Sequence, residues 1–423
     1  RDWSSDVCSS DLYTSGTTGN PKGVKIKHKN IINTLIWRKN FYKFDKNTTV
    51  YQIPSFSFDS SVEDIFTPLI SGSKLILGST PKIDINQMCD DIKKYSVNHF
   101  LVVPSLYKIL LREKTQYLSS LKFITIAGED FNMSLVKEHF EKLPTVRLVN
   151  EYGPTENSVC STFYELSAND SEIYIGKPIN NCKCYVLNDK LILLPLGIPG
   201  ELYVSGPGVS EGYLNRPDIT EERFIKNPFD GKYKMYKTGD IVEYNHQGNL
   251  KFIGRSDNQV KLHGFRIELK EIEQSILRDS NILDVVVAKK QDYNEKTLLV
   301  AYIIPKNKDY DISNLYKKLR ETLPAYMVPS IVQLENFPLT PNGKIDIKAM
   351  PLPNASSTHK EYVKPRDNMD KKLINIVEET LNTPNISLLD TIYSLGGDSL
   401  SAISLSSKIA SEFNVNIGIK EHQ

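Results

Sequence analysis

The sequence has almost no net charge and no long apolar run. Its 52 basic and 51 acidic residues leave a formal charge of +1 over 423 residues, so no overall field favours nucleic acid or an anionic membrane. None of its apolar runs approaches the roughly 18 residues that a transmembrane helix needs. Residues 1–12 lack the basic and apolar regions of a signal peptide. We therefore expect a cytoplasmic protein that binds neither nucleic acid nor a membrane.

Cysteine is also scarce. The five cysteines are Cys8, Cys89, Cys160, Cys182 and Cys184. Only the last two lie close together, and no histidine or second cysteine pair completes a zinc-binding spacing. This pattern predicts reduced thiols rather than a disulfide framework or a metal centre.

The rest of the composition is that of an ordinary globular protein. A chain of 423 residues is long enough for two to three domains. Up to about Gly254, short apolar runs alternate with helix-like segments, which indicates a layered α/β domain. Predicted strands include residues 50–53, 74–77, 100–103 and 123–127, and predicted helices include residues 88–95 and 133–143. Because ligands collect at the carboxyl ends of parallel strands, we expect the site there.

After Gly254 the pattern changes to a small α+β unit that ends near Leu352. Leu269, Ile272 and Ile276 have helical spacing; strands are predicted at 283–288 and 298–304 and a helix around 315–323. Residues 353–367 are polar with two prolines and indicate a linker. A short helical segment follows, with apolar residues at helical spacing: Ala402, Leu405, Ile409 and Phe413.

Residues 13–23, YTSGTTGNPKG, have the composition of a phosphate-binding loop. They combine glycine backbone amides and Lys22 with four hydroxyls, those of Thr14, Ser15, Thr17 and Thr18. A P-loop is disfavoured, because counting from Gly16 its second glycine is replaced by Pro21 and its Ser/Thr by Gly23.

The residues before this loop do not resemble the buried strand that such a loop usually follows. Residues 2–12 are largely polar, with two Ser-Ser-Asp triplets. We therefore predict that residues 1–12 are foreign sequence joined to the gene, with a native divergent N-terminus as the alternative.

Seven further motifs follow the loop in order. They are FDSS (58–61), NEYGPTE (150–156), GELYVSG (200–206), YKTGD (236–240), GRSDNQVK (254–261), LPAYMVP (323–329) and NGKID (342–346). This series resembles the adenylation domain of a non-ribosomal peptide synthetase, within the adenylate-forming superfamily. The resemblance covers about residues 13–352.

A second resemblance follows the linker. Residues 390–400, DTIYSLGGDSL, are similar to the attachment site of a peptidyl carrier domain, in which Ser399 would carry 4'-phosphopantetheine. A Gly-Asp-Ser-Leu esterase is rejected, because such enzymes need Asp-x-x-His near the end. Here the one histidine after Ser399 is His422, with Ile419 in place of the aspartate.

Together the resemblances imply an α/β adenylation subdomain, a small α+β subdomain and a helical-bundle carrier. The implied boundaries are residues 13–255 for the large subdomain, with its N-terminal part missing, and 256–352 for the small one. The linker spans 353–367, and a carrier domain truncated at its C-terminus spans 368–423.

The resemblance also implies an ATP site. The β- and γ-phosphates would lie in the loop, at Thr14, Ser15, Gly16, Thr17, Thr18, Gly19 and Lys22. Glu156 with Thr155 would hold Mg²⁺, a hard cation that prefers oxygen ligands. Tyr152 would stack on adenine, and Asp240, assisted by Arg255, would accept both ribose hydroxyls.

The implied reaction is attack of an amino-acid carboxylate on the α-phosphate of ATP, with release of pyrophosphate. Lys344 would bridge the two anions as catalytic residue with Glu156 and Thr155, and Asp59 would pair with the substrate ammonium. Asp257 would be the hinge between adenylation and thiolation.

The family's pocket positions fall on Asp59, Ser60, Glu63, Leu101, Thr125, Ala127, Glu151, Val159, Cys160 and Lys344. Small residues leave room for a large substrate, and the pattern resembles pockets for tyrosine. Apolar walls with one polar acceptor would suit a phenol. The alternative is ornithine or lysine, whose ammonium Glu63 and Glu151 could neutralise; Glu63 could instead face solvent.

The leading hypothesis is therefore an amino-acid-activating ligase that loads Ser399, with a phosphopantetheinyl transferase and neighbouring condensation domains as partners. A catalytically inactive carrier or docking segment is the alternative, and an acyl-CoA ligase is disfavoured by Asp59 and by the carrier. Because both ends of the pattern are short, we expect residues 1–423 alone to be inactive.

Overall fold

The computed structural model describes residues 8–14, 22–78, 84–257, 259–262, 265–291, 297–307, 310–339, 345–353, 363–381, 383, 386–388, 390, 392, 395 and 399–413. The chain divides into two compact units; the first ends at Arg266 and the second begins at Ile267. The boundary expected at residues 255/256 falls shortly before this division.

The first unit begins with an antiparallel pair, β1 (Cys8–Thr14) and β2 (Lys22–Lys27), in which Thr14 lies opposite Lys22. The expectation that the polar residues before Tyr13 cannot be the strand that leads into the loop is wrong for residues 8–12. Strand pairing uses backbone N–H and C=O groups, which a polar segment supplies as well as an apolar one. The foreign origin of residues 1–12 stays a prediction.

A seven-stranded sheet forms the centre of the first unit. Its strands are β3 (Thr49–Gln52), β4 (Lys74–Leu77), β5 (His99–Val102), β6 (Phe123–Ala127), β7 (Arg147–Tyr152), β8 (Thr162–Leu166) and β9 (Lys177–Pro178). Their spatial order is β4-β3-β5-β6-β7-β8-β9. The first five strands run parallel to one another. Strand β8 pairs with β7 in the antiparallel sense, and β9 pairs with β8 in the same way.

Helices alternate with these strands along the chain. They are α1 (His28–Phe41), α2 (Ser60–Ser71), α3 (Ile85–Tyr95), α4 (Pro104–Glu113) and α5 (Met133–Lys142). Consecutive residues such as Phe100, Leu101 and Val102 are all buried, as expected for a parallel strand covered on both faces. The carboxyl ends of β3, β5, β6 and β7 therefore meet at one edge of the sheet.

A second, antiparallel sheet completes the first unit. It contains β10 (Lys183–Leu187), β11 (Gly200–Ser205), β12 (Phe224–Lys226), β13 (Lys234–Tyr244) and β14 (Leu250–Arg255), with α6 (Pro217–Arg223) before β12. A further pair follows, β15 (Gln259–Leu262) with β16 (Phe265–Glu268). Tyr152 of the first sheet and Tyr236 of the second belong to one buried core cluster, which fixes β13 close to the end of β7.

The second unit is small and mixed. Its elements are α7 (Leu269–Leu277), β17 (Ile282–Gln291), β18 (Thr297–Pro305), α8 (Ile312–Thr322), β19 (Ser330–Gln333), α9 (Asn368–Leu381) and α10 (Ser399–Phe413). β17 and β18 are antiparallel, and β18 pairs with β19 in parallel. The predicted α/β, α+β and helical succession is confirmed.

Candidate active site

A cavity of about 720 Å³ opens at the carboxyl ends of β5, β6 and β7. It is lined by eight of the predicted substrate residues, which are Asp59, Ser60, Glu63, Leu101, Ala127, Glu151, Val159 and Cys160. Thr125 is not among the lining residues. Its hydroxyl lies 2.7 Å from the Tyr42 hydroxyl and 3.0 Å from Nε2 of His99, so it packs behind the wall instead.

Helix α2 brings two of the acidic residues to this cavity. Asp59 is the N-cap and accepts a hydrogen bond from the Ser60 amide at 2.8 Å, because a short carboxylate satisfies an otherwise unpaired donor of the first turn. Burial raises the pKa of Asp59, against hydrogen bonds from the Thr155 side chain and the Ser60 amide. Glu63 follows one turn later and is 1% exposed, so the expectation that it could face solvent is wrong.

The turn after β7 is held in an unusual conformation. A short 3-10 helix, Thr155–Asn157, is followed by Ser158 and Val159 with φ of 56° and 77°. A positive φ is unfavourable for a β-branched residue such as Val159, and such strain concentrates at functional sites. The turn places Val159 and Cys160 in the cavity wall.

A second cavity, of about 310 Å³, adjoins the first and shares Gly128, Glu151 and Tyr152 with it. Its other lining residues include Asp240 and Arg255. Oδ1 of Asp240 accepts a hydrogen bond from Nη1 of Arg255 at 2.6 Å, and Oδ2 accepts one from the Tyr152 hydroxyl. A carboxylate has about four acceptor positions, so Asp240 retains acceptor capacity for a ligand.

Arg255 also holds the predicted hinge residue. Its Nε lies 2.7 Å from Oδ1 of Asp257 and its Nη2 2.8 Å from Oδ2. Burial by itself would raise the pKa of Asp257, but these hydrogen bonds and the charge of Arg255 together lower it. One guanidinium thus bridges Asp240 and Asp257.

The predicted metal residue Glu156 belongs to the turn after β7 and is fully buried. Its Oε1 accepts a hydrogen bond from the Tyr213 hydroxyl at 2.7 Å. Nζ of Lys22 lies over the Tyr213 ring, 5.4 Å from its centroid. The described residues contain no group of three or more His, Cys, Asp or Glu side chains that could hold a metal. Glu156 and Thr155 are not among the lining residues of either cavity, and their role in holding Mg²⁺ stays a prediction.

Several predicted residues lie outside the described part of the chain: Ser15, Gly16, Thr17, Thr18, Gly19 and Lys344. Thr14 is the last residue of β1. Ser399 is the first residue of α10. Their predicted roles stay predictions.

Two site residues were not predicted. Lys261 lines the second cavity, with Nζ 5.3 Å from the Tyr152 ring centroid. Arg38 of α1 is fully buried, and its Nη1 lies 2.7 Å from Oε1 of Glu63. Arg38 continues the buried spacing of Ile31 and Leu35 at i, i+4 and i+7; an arginine on an apolar helix face was the signal in the sequence.

The model of the AMP-binding enzyme family matches residues 5–214. The chain belongs to the AMP-binding enzymes. The AMP-binding enzyme C-terminal domain matches residues 271–344, and the phosphopantetheine attachment site matches residues 371–421. The predicted adenylation region followed by a carrier domain is therefore confirmed, with ATP, Mg²⁺ and 4'-phosphopantetheine as the groups that these domains use.

The AMP-binding region and carrier resemble parts of much longer synthases. The chain is 46% identical over 411 residues to bacitracin synthase 3 of Bacillus licheniformis, covering 97% of this chain and 6% of that protein. It is 40% identical over 405 residues to gramicidin S synthase 2 of Aneurinibacillus migulanus, covering 94% and 9%. The chain thus spans less than a tenth of the length of either relative.

The fold has solved counterparts with the same order of domains. The structure of a non-ribosomal peptide synthetase protein containing adenylation and PCP domains aligns with a TM-score of 0.82 at 24% identity, over 98% of this chain and 70% of that one. Among the described residues, no helix is long and apolar enough to cross a membrane.

Proposed function

We propose that this AMP-binding enzyme activates an amino acid with ATP and transfers it to phosphopantetheine on Ser399. The observation that carries the proposal is the pair of adjoining cavities. One has Asp59 in its wall, and the other has Asp240 and Arg255. An amino acid in the first and a nucleotide in the second would meet at the residues that both cavities share.

In the adenylation step, Asp59 would bind the substrate ammonium and so orient the carboxylate. Asp240 would bind the ribose hydroxyls, which directs the phosphates toward Lys22 and Glu156. A carboxylate oxygen then attacks the α-phosphorus, the bond to the bridging oxygen breaks, and pyrophosphate leaves with that electron pair. Holding two anions in line requires positive charge and fixed orientation, which we assign to Lys344 and to bound Mg²⁺.

In the second step, Ser399 would carry the phosphopantetheine arm, whose thiol would supply the nucleophile that takes the aminoacyl group from the adenylate, with AMP as the leaving group. We assign the hinge of this exchange to Asp257, which is already bound by Arg255. Attachment of pantetheine requires a phosphopantetheinyl transferase, and a condensation domain would use the loaded amino acid.

We further propose that the substrate has a large side chain with a polar end. A cavity of about 720 Å³ with Leu101, Val159 and Cys160 in its wall has room for an aromatic ring. The carboxylates of Glu63 and Glu151 lie in the same wall. The ring of tyrosine or of another aromatic amino acid would pack against the apolar walls. The ammonium of ornithine or lysine would instead pair with the two carboxylates.

Amino-acid-dependent exchange of pyrophosphate into ATP tests the adenylation half. The carrier half is tested by mass spectrometry after incubation with a phosphopantetheinyl transferase. We expect a mass gain of one pantetheine arm, its loss in Ser399→Ala and its retention in Ser401→Ala. Transferase-dependent gain without any binding of ATP or amino acid would favour the carrier-only alternative.

A further inference from the structure

A buried ionic cluster lies behind the wall of the substrate cavity. It consists of Arg38 and Tyr42 from α1, Glu63 and Asp64 from α2, and Glu151 from β7, and we refer to it as the Arg38 cluster. Nη1 of Arg38 lies 2.7 Å from Oε1 of Glu63 and 3.8 Å from Oε2 of Glu151. Nη2 lies 3.8 Å from Oδ1 of Asp64. All four charged side chains are at most 3% exposed.

Four carboxylate oxygens of this cluster lack a hydrogen-bond donor among the described residues: both oxygens of Asp64, and one each of Glu63 and Glu151. The three guanidinium nitrogens of Arg38 likewise lack a well-oriented acceptor. Oε1 of Glu151 accepts a hydrogen bond from the Tyr42 hydroxyl at 2.6 Å, and Oε1 of Glu63 is paired with Arg38. Oε2 of Glu63 and Oε2 of Glu151 are buried and accept no hydrogen bond. A buried acceptor left without a donor is costly, and both glutamates line the cavity. Asp64, Arg38 and Tyr42 do not line it, so Glu63 and Glu151 are the members of the cluster that a substrate in the cavity can approach.

The cluster also has more negative than positive groups. Arg38 is one cation against the three carboxyl groups of Glu63, Asp64 and Glu151. The neighbouring His99 does not supply a second cation, because burial and the charge of Arg38 hold its pKa well below the usual range. Burial raises the pKa of Glu63 well above its usual range and that of Asp64 to about 7, in both cases against the charge of Arg38. A cation bound beside these groups would favour their ionised forms.

We propose that the activated amino acid has a basic side chain, an ammonium, imidazolium or guanidinium, whose N–H groups donate to the carboxyl groups of Glu63 and Glu151 in the cavity wall. This inference rests on the proposed function and chooses between its two substrate classes. A phenol has one donor and no charge, so it satisfies one oxygen and leaves the imbalance in place. A basic side chain can donate to both glutamates and also adds a positive charge.

Arg38 is a positioning residue in this proposal. It is absent from the cavity wall and contacts Oε1 of Glu63, so it fixes that carboxylate with Oε2 as the remaining acceptor. Its single charge faces three carboxyl groups, so it does not supply a positive partner for each of them.

Equilibrium binding of non-hydrolysable aminoacyl-sulfamoyl adenosines to the full chain tests the proposal without requiring turnover. We expect the ornithyl, lysyl, histidyl or arginyl analogue to bind at least about tenfold more tightly than the tyrosyl and phenylalanyl analogues, as for a charge-assisted hydrogen bond. Equal or tighter binding of the tyrosyl analogue would overturn the basic substrate and leave the proposed function standing. Binding of no analogue by folded protein would overturn both.

Variants separate recognition from packing. Glu63→Gln and Glu151→Gln keep the side-chain shape, and each should reduce the preference for the basic over the tyrosyl analogue by about tenfold. Asp64→Asn is the matched control, since Asp64 belongs to the cluster but does not line the cavity, and it should leave that preference unchanged. Arg38→Met should lower the preference, and Arg38→Lys should restore part of it. Equal losses for both analogues in every variant would mean a purely structural cluster.

Discussion

At the scale of single residues, Asp240 is held firmly in the second cavity, where a nucleotide is proposed to bind. Both of its oxygens accept hydrogen bonds, one from Arg255 and one from Tyr152. These contacts hold the carboxylate in one orientation, so a ribose would meet a preformed acceptor. Preorganisation of this kind reduces the entropy that binding must overcome.

Replacing Asp240 with asparagine should therefore weaken ATP binding. Asparagine keeps the size of the side chain but loses the charge that Arg255 pairs with, and we expect roughly a tenfold or larger rise in the Kd of ATP. Titration calorimetry measures this change. Asp218→Asn is the control, because Asp218 also pairs with an arginine, Arg216, at 2.9 Å but is largely exposed. Equal effects of the two changes would contradict the role of Asp240.

At the scale of elements, the turn after β7 depends on a close backbone approach. A Cβ added to Gly153 would lie 2.0 Å from the Val159 carbonyl oxygen and 2.8 Å from the Ser161 amide nitrogen. These neighbours are backbone atoms, which cannot rotate away as a flexible side chain can. The conformation that presents Val159 and Cys160 to the cavity therefore needs glycine at this position.

Gly153→Ala should destabilise the first unit by about 3 kcal/mol, in the range of overpacking substitutions. Urea denaturation measures the change. Gly231→Ala is the control, since a Cβ there would meet nothing within 4 Å. A Gly153→Ala protein as stable as the control would show that the turn can rearrange.

The corner between β17 and α8 should make the second unit sensitive to acid. Asp279 accepts hydrogen bonds from Nζ of Lys318 at 2.7 Å and from the Tyr310 hydroxyl at 3.0 Å. The hydrogen bond from Lys318 is the largest influence and lowers the pKa of Asp279 to about 2. A carboxyl with a lowered pKa stabilises the fold above its unfolded pKa, and this contribution is lost as the pH falls toward the folded pKa.

We therefore expect the free energy of unfolding to fall by about 1 kcal/mol between pH 5 and pH 2 through this group, after allowance for solvent screening. Asp279→Asn should remove that part of the pH dependence, as measured by urea denaturation across the range. Asp189→Asn, at an exposed position, should retain it. An unchanged slope in Asp279→Asn would contradict the assignment.

The regular elements of the first sheet could be predicted from sequence because parallel buried strands are continuous apolar runs. Strands β4 and β6 have the predicted bounds, and β3 and β5 each begin and end one residue earlier. Thr125 was assigned to the cavity because it falls on a pocket position of the family that the sequence resembles. It lies two residues, or roughly 7 Å, further from the carboxyl edge than Ala127, where Tyr42 fills the space.

The Arg38 cluster could not be predicted, because its members are distant in sequence. Arg38 stands next to Lys39 near the end of α1, a pattern typical of an exposed helix end. Its partners come from α2 and β7, and only the packing of three elements brings them together. A buried ion pair leaves no local pattern beyond an arginine on an apolar helix face.

At the scale of the whole molecule, the adenylation activity is predicted to depend on Lys344, which belongs to the segment matched by the C-terminal domain of the AMP-binding enzymes. In a longer synthetase that contains this chain, Lys344→Ala should abolish amino-acid-dependent pyrophosphate exchange and leave the melting temperature unchanged. Lys348→Ala, four positions later in the chain, should leave exchange intact. Full exchange in Lys344→Ala would contradict the catalytic assignment.

Helix α2 has a consequence for how selectivity could change. Asp59 at its N-cap and Glu63 one turn later lie about 6 Å apart along the helix axis, and both line the same cavity. The spacing of one helical turn between these two carboxyl groups would therefore limit the length of a side chain that contacts both. If Asp59 binds the substrate ammonium as proposed, exchanging this segment between related enzymes would alter the accepted side-chain length without moving that end of the substrate.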